Sequence, residues 1–156
     1  MTQSLSHFDE AGDARMVDVS GKQATHRTAR AHAFVKMSPT VVAQLAANPK
    51  GDPLAVARVA GVMAAKRTAE LIPMCHSLPL SFADVDVQVE SGGVRIISTA
   101  STSGQTGVEM EALTAASIAA LTVYDMTKAL DKGIEIQDVY LLEKTGGKSG
   151  GWRRES

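Results

Sequence analysis

The 156 residues, 44% of them hydrophobic, are enough to bury one core and too few for two comfortable domains. A formal charge of −1 excludes any global attraction to nucleic acid or to an anionic membrane, so a positive field has to be local. The single cysteine, Cys75, excludes an internal disulfide and a multi-cysteine zinc site, and with no apolar run near the roughly 18 residues of a membrane span and no hydrophobic leader the expected location is the cytoplasm.

In chain order, residues 1–14 are polar and unpatterned and predict a mobile arm, 15–143 a single domain, and 144–156 a flexible tail rich in Gly and Lys. Met16 to Val19 alternates weakly, and Thr25 to Met37 predicts a longer strand. Ser38 reads as a cap and Pro39 as the first residue of a short helix to about Ala47. Asn48 to Pro53 is a loop by composition. Asp52-Pro53 opens a second helix to about Leu71, on which Val59, Val62, Met63 and Lys66 share one face. Pro73 ends that helix, and Met74 to Pro79 is irregular because prolines flank it.

Val85, Val87 and Val89 alternate with acids and Gln88, the pattern of a strand with one wet face, and Ser91-Gly92-Gly93 turns it into Val94 to Thr99. Ser101 to Gly107 reads as a loop of small polar residues. Thr106-Gly107-Val108-Glu109 matches a capping box that opens a long helix to about Asp131, with Gly133 ending it. Ile134 to Ile136 and Val139 to Leu142 supply the last strand. Strands, two helices, a hairpin, a long helix and a strand predict an α+β fold, ferredoxin-like, with a mostly antiparallel sheet and helices on one face. Small residues crowd the two longest helices, which predicts close packing, including between subunits.

Asp125 and Lys128 are neighbours on the long helix, in register with Ile118 and Leu121. They read either as an ordinary ion pair at a helix end or as an acid/base pair in which the carboxylate tunes the lysine. Glu109 can complete the cap, while the Glu111 carboxylate can accept two parallel hydrogen bonds from the ring N–H and exocyclic amine of a guanine or pterin. Cys75 and His76 are held between Pro73 and Pro79. Zinc would need more ligands than this stretch offers, and a small buried thiol is the commoner role for such a cysteine, so His76 as a hydrogen-bond donor to substrate is preferred.

Lys50, Lys66, Arg67, Lys144 and Lys148 are the candidate binders of a polyanion. Gly147-Lys148-Ser149 is not a P-loop, because Leu142 stands where its first glycine belongs. Glu111 and Asp125 lie about 21 Å apart along a helix, too far for one compact site in one chain. If both are functional, the ligand is long or the site is shared between subunits.

Lys50-Gly51-Asp52, Ala64-Ala65-Lys66-Arg67-Thr68, Leu71-Ile72-Pro73-Met74-Cys75-His76, the run from Thr106 to Ala116, Tyr124-Asp125-Met126 and Gly146 to Gly150 together resemble the molybdenum cofactor biosynthesis protein C family, from about Phe8 to Gly150. Met74 before Cys75 and Ser77 after His76 depart from its commoner leucine and proline without removing a polar group. The resemblance implies a ferredoxin-like subunit in a hexamer built from dimers, with the site at a subunit interface. It implies that a 3′,8-cyclised dihydro-GTP, supplied by a preceding radical SAM enzyme, is rearranged to cyclic pyranopterin monophosphate with loss of diphosphate. By motif position, Asp125 and Lys128 are the catalytic pair. Met74, Cys75, His76, Glu109, Met110 and Glu111 match substrate-contacting segments, and Lys50, Lys66, Lys144 and Arg27 are expected around the triphosphate. No cofactor or metal of the protein is implied, and whether magnesium accompanies the triphosphate stays open. The rival is a nucleotide-binding regulatory module without turnover. An RNA-binding reading is weaker, since the hairpin offers Phe82 alone for stacking.

Overall fold

A computed structural model describes residues 5–156. Its elements run β1 (Thr25–Lys36), α1 (Pro39–Ala43), a 3-10 turn (Leu45–Ala47), α2 (Pro53–Lys66), α3 (Thr68–Leu71), β2 (Leu80–Glu90), β3 (Gly93–Gly104), α4 (Glu109–Thr127), β4 (Glu135–Thr145) and β5 (Trp152–Arg153). The strands form one sheet in the order β2-β3-β1-β4-β5, antiparallel throughout. Through β4 this is a βαββαβ chain, so the fold is α+β and ferredoxin-like.

Alternation sets the buried face of the sheet. Ala29, Ala31, Ala33 and Val35 of β1 lie opposite Ala100, Ser98, Ile96 and Val94 of β3, all fully buried. Ser98 is tolerated there because its hydroxyl donates to the Ala112 carbonyl of α4 at 2.5 Å. The long helix α4 crosses β1, β3 and β4, and α2 lies beside it over β2.

The two helices approach closely because their inward faces are nearly bare: Ala57, Gly61, Ala64 and Ala65 on α2 meet Ala112, Ala115, Ala116 and Ala119 on α4. A Cβ on Gly61 would come 2.6 Å from Val85 Cγ2 and 3.0 Å from the Ala115 carbonyl oxygen. Several larger apolar side chains of these helices are left pointing outward, while Val123 and Met126 of α4 stay buried. Val59 is 59% and Leu121 52% exposed, and Val56 and Met63 are exposed beside them. The face of α2 carrying Val59, Met63 and Lys66 is thus the solvent side of this subunit, and so is the register of Leu121, Asp125 and Lys128.

Several boundaries differ from the pattern-based expectation. The Ser38 cap forms, its side chain accepting from Val41 N–H, but the α-helix ends at Ala43 and finishes as a 3-10 turn. The second helix stops at Lys66 rather than running to Leu71: Arg67 leaves helical geometry, and the buried Thr68 hydroxyl reaches back to the Ala64 and Ala65 carbonyls. Ser101 to Gly104 belongs to β3: all four residues pair with β1, and Ser101 and Thr102 pair with β2 as well. At the other end of the chain, β4 continues to Thr145 and Trp152–Arg153 returns along it as β5. No helix among the described residues is long and apolar enough to cross a membrane.

Candidate active site

The helix α4 begins at Glu109 with Val108 as its cap residue, and no side chain caps it. The expected capping box is absent: the Thr106 hydroxyl donates to the Gly107 carbonyl, and the Glu109 carboxylate turns instead to Lys144 at 2.7 Å. A side chain on Gly107 would collide with that carboxylate, so the missing Cβ is what lets Glu109 fold back.

Glu109 and Lys144 stand on a cleft of about 650 Å³, also lined by Arg27, Lys22, Gln105, Thr106 and the 146–149 loop. Arg27 organises its wall, donating from Nε to Gly104 O at 3.0 Å and from a terminal nitrogen to Gln105 O at 3.4 Å. Gly146 and Gly147, both in the left-handed region, pack against the His26 carbonyl and the Arg27 guanidinium, so a Cβ on Gly146 would not fit and one on Gly147 would push the guanidinium aside. Four cationic side chains, those of Lys22, Arg27, Lys144 and Lys148, thus surround one concavity that holds a single carboxylate, Glu109. Such a cleft suits a polyanion.

Two residues further along α4, Glu111 is only 4% exposed. Burial pushes its carboxyl above the ordinary range, the nearby Glu109 adds to this, and its own backbone N–H pulls partly the other way. Cys75 lies within the field of Glu111, and burial first and Glu111 second raise its thiol. A thiol pushed upward stays protonated and is a poor nucleophile, in keeping with the small-thiol reading. His76 is fixed by a 2.6 Å hydrogen bond from its Nε2 to Val17 O, with Met74 half-buried two residues before it and Met110 at the surface of the helix start.

The far end of α4 carries the second group. Lys128 Nζ donates to Asp125 Oδ1 at 2.7 Å. That hydrogen bond first, then the charges of Lys128 and Lys50, hold the Asp125 carboxyl below its usual range, and the same bond raises Lys128. Lys50 donates to the Asp125 carbonyl at 3.3 Å, and Asn48 Nδ2 donates to the Met126 carbonyl at 2.6 Å, so the 48–51 loop is tied to this helix end. Cations there also complement the exposed helix carbonyls.

Of the residues singled out in the sequence, the fold therefore gathers Arg27, Lys144, Glu109 and Glu111 with Cys75 at one end of α4, and Lys50, Asp125 and Lys128 at the other. Lys66 ends α2, exposed, on the helix that runs antiparallel to α4, so it lies toward the Glu111 end. Pattern reading missed Lys22, Gln105 and Asn48. Gln105 Nε2 donates to Lys22 O at 3.1 Å, a contact across 83 positions that no local signal announces.

The MoaC family model matches residues 16–147 of this chain. This chain belongs to the MoaC family. Among MoaC relatives, proteins named cyclic pyranopterin monophosphate synthase are 60% identical in Streptomyces avermitilis, over 96% of this chain and 89% of the relative, and 57% identical in Chloroflexus aggregans, over 97% and 94%. One of the same name from Peptoclostridium acidaminophilum is 50% identical over 97% of this chain and 98% of its own length. Both ends of α4, the 48–51 loop and the glycine loop through Gly147 fall inside the MoaC match.

Proposed function

We propose that this chain is a cyclic pyranopterin monophosphate synthase, a lyase that converts a 3′,8-cyclised dihydro-GTP to cyclic pyranopterin monophosphate and diphosphate in molybdenum cofactor biosynthesis. The observation that carries this reading is the pairing of a cationic cleft at one end of α4 with a charge-tuned lysine at the other, in a chain whose relatives bear that name over nearly their whole length.

The chemistry asks for two capacities. Expelling diphosphate needs positive charge on the leaving group, which Arg27 and Lys144 supply, with Lys22 and Lys148 beside them. Opening and reclosing rings needs protons moved, and the Lys128–Asp125 pair places a donor and an acceptor side by side; Asp125 tightens the hold of Lys128 on its proton, so proton release from Lys128 requires that the substrate draw Asp125 away or compensate its charge. Glu111, buried and biased toward its neutral form, accepts from or donates to the pterin edge, and His76, its Nε2 held by the Val17 carbonyl, offers the substrate its other ring nitrogen, Nδ1. Closure of the cyclic phosphate is intramolecular, so holding the sugar hydroxyl in line with the α-phosphorus is the main demand.

Fourteen residues of unbroken helix separate Glu111 from Asp125, about 21 Å, and of the two ways to use both, a long ligand or a site shared between subunits, we favour the shared site. The outward stripe of Val56, Val59, Met63 and Leu121 supports a second copy on the helical face. We read the assembly as a hexamer of three dimers in the cytoplasm, coupled functionally to the radical SAM enzyme that makes the substrate.

Incubating the purified chain with the cyclised dihydro-GTP should yield pterin product and diphosphate. A well-folded oligomer that forms neither overturns the proposal and favours the regulatory module. For the shared site, oligomers mixed from a Glu111→Ala chain and an Asp125→Ala chain should regain partial activity, and no recovery sinks it.

A further inference from the structure

The 146–149 loop stands over the cleft, and what holds its far end is β5, a strand of two residues in which Trp152 pairs with Lys144 and Arg153 with Glu143. Two residues of pairing are too few to fix a loop alone. The next residue makes the difference. Arg154 N–H donates to Leu142 O at 2.8 Å, its Nε donates to Leu141 O at 2.9 Å, and its guanidinium lies 4.5 Å from the centre of the Tyr140 ring.

Tyr140 is itself anchored. Its ring stacks on that of His32 at 4.7 Å and 7°, and His32 Nδ1 sits 2.8 Å from Asp138 O. Asp138 adopts a positive φ of 56°, where β4 shifts register against β1. The bulge therefore turns the Asp138 carbonyl to a ring on the strand next door. Through this stack the chain end is bound to β1, the middle strand of the sheet, rather than to the edge strand alone.

We propose that Arg154 is a positioning residue: by clasping Tyr140 and the Leu141 and Leu142 carbonyls it holds the 146–149 loop against Arg27 and so keeps Lys148 and Lys144 aimed at the triphosphate. This rests on the reading of the cleft as the triphosphate site. Arg154 touches no reacting atom. Its effect is on the shape and mobility of the cationic wall, so substrate affinity depends on it and the proton chemistry at the other end of α4 does not.

The test compares the full-length chain with Arg154→Ala and Arg154→Lys, by amide hydrogen exchange, calorimetric binding of inorganic triphosphate at fixed salt, and turnover of the cyclised substrate. In Arg154→Ala, exchange at residues 145–151 should rise about tenfold with α4 unchanged, triphosphate Kd and KM should rise about tenfold, and kcat should stay within about twofold. Arg154→Lys should fall between, because an ammonium keeps charge over the ring but loses the planar stack and the Nε bond. Unchanged exchange at 145–151, or faster exchange with unaltered Kd and KM, overturns the proposal, as does a fall confined to kcat. Wild-type protein that neither binds triphosphate nor turns over substrate overturns the functional reading instead, and with it the loop's ligand; the exchange comparison then still decides whether Arg154 holds the loop.

Discussion

Lys144 Nζ lies 2.7 Å from Glu109 Oε1, joining the end of β4 to the first turn of α4 at the mouth of the cationic cleft. On the proposed reading of the cleft, this contact keeps Lys144 occupied until the triphosphate displaces the carboxylate. Lys144→Ala should therefore weaken inorganic triphosphate about tenfold or more, whereas Glu109→Gln should tighten it several-fold by releasing the lysine. Calorimetric titration at one salt concentration checks both signs, and weaker binding in Glu109→Gln would show that the carboxylate positions Lys144 rather than competing for it.

At the opposite helix end, Lys128→Ala should lower kcat by about 10²-fold or more while leaving triphosphate affinity within about twofold. Asp125→Asn removes the hydrogen bond and charge that raise Lys128. If Lys128 is the acid, the alkaline limb of kcat/KM against pH must then move to lower pH. A limb that stays in place would exclude Lys128 as the group it reports.

Glu111 makes a stability prediction with a definite sign. Its folded carboxyl titrates above its ordinary 4.5, so its contribution is intact below that value and is lost as pH rises through the higher folded value. Glu111→Gln should melt with the wild type at pH 4 and above it at pH 7.5, at the expense of turnover. Equal differences in Tm at both pH values would rule out burial of this carboxylate as the cause.

Gly61 tests the close approach of the helices. Gly61→Val forces side-chain atoms toward Val85 and the Ala115 carbonyl and should cost about 3 kcal/mol in denaturant unfolding. A loss under about 0.5 kcal/mol would mean that the helices separate freely.

Much of this fold was legible in the sequence because its signals are local. The long strand β1, the alternation in the hairpin, and the Ser38 and Asp52 caps each followed by proline, all appear as expected. What was misread depends on distant partners. Glu109 looked like part of a cap because Lys144, its actual partner, is 35 positions away. Ser101 to Gly104 looked like loop because small polar residues carry little strand preference, although all four pair with β1 and the first two with β2 as well. On α2 the shared face of Val59, Met63 and Lys66 follows the helical period, and it is the outward one: with sheet and helices so close, Ala and Gly take the inside and Val59 and Met63 are left out. The two groups at the ends of α4 were visible as residues, but the cleft at one of them was not, because Lys22, Arg27 and Gln105 converge only through the sheet.

The unbroken length of α4 also bears on how the enzyme would behave at low abundance. On the shared-site reading no free subunit holds a complete site, so activity per chain is set by mass action among subunits and falls on dilution faster than protein concentration itself. Synthesis of the chain and switching on of its chemistry would then be separate thresholds, the second crossed only when enough copies have met.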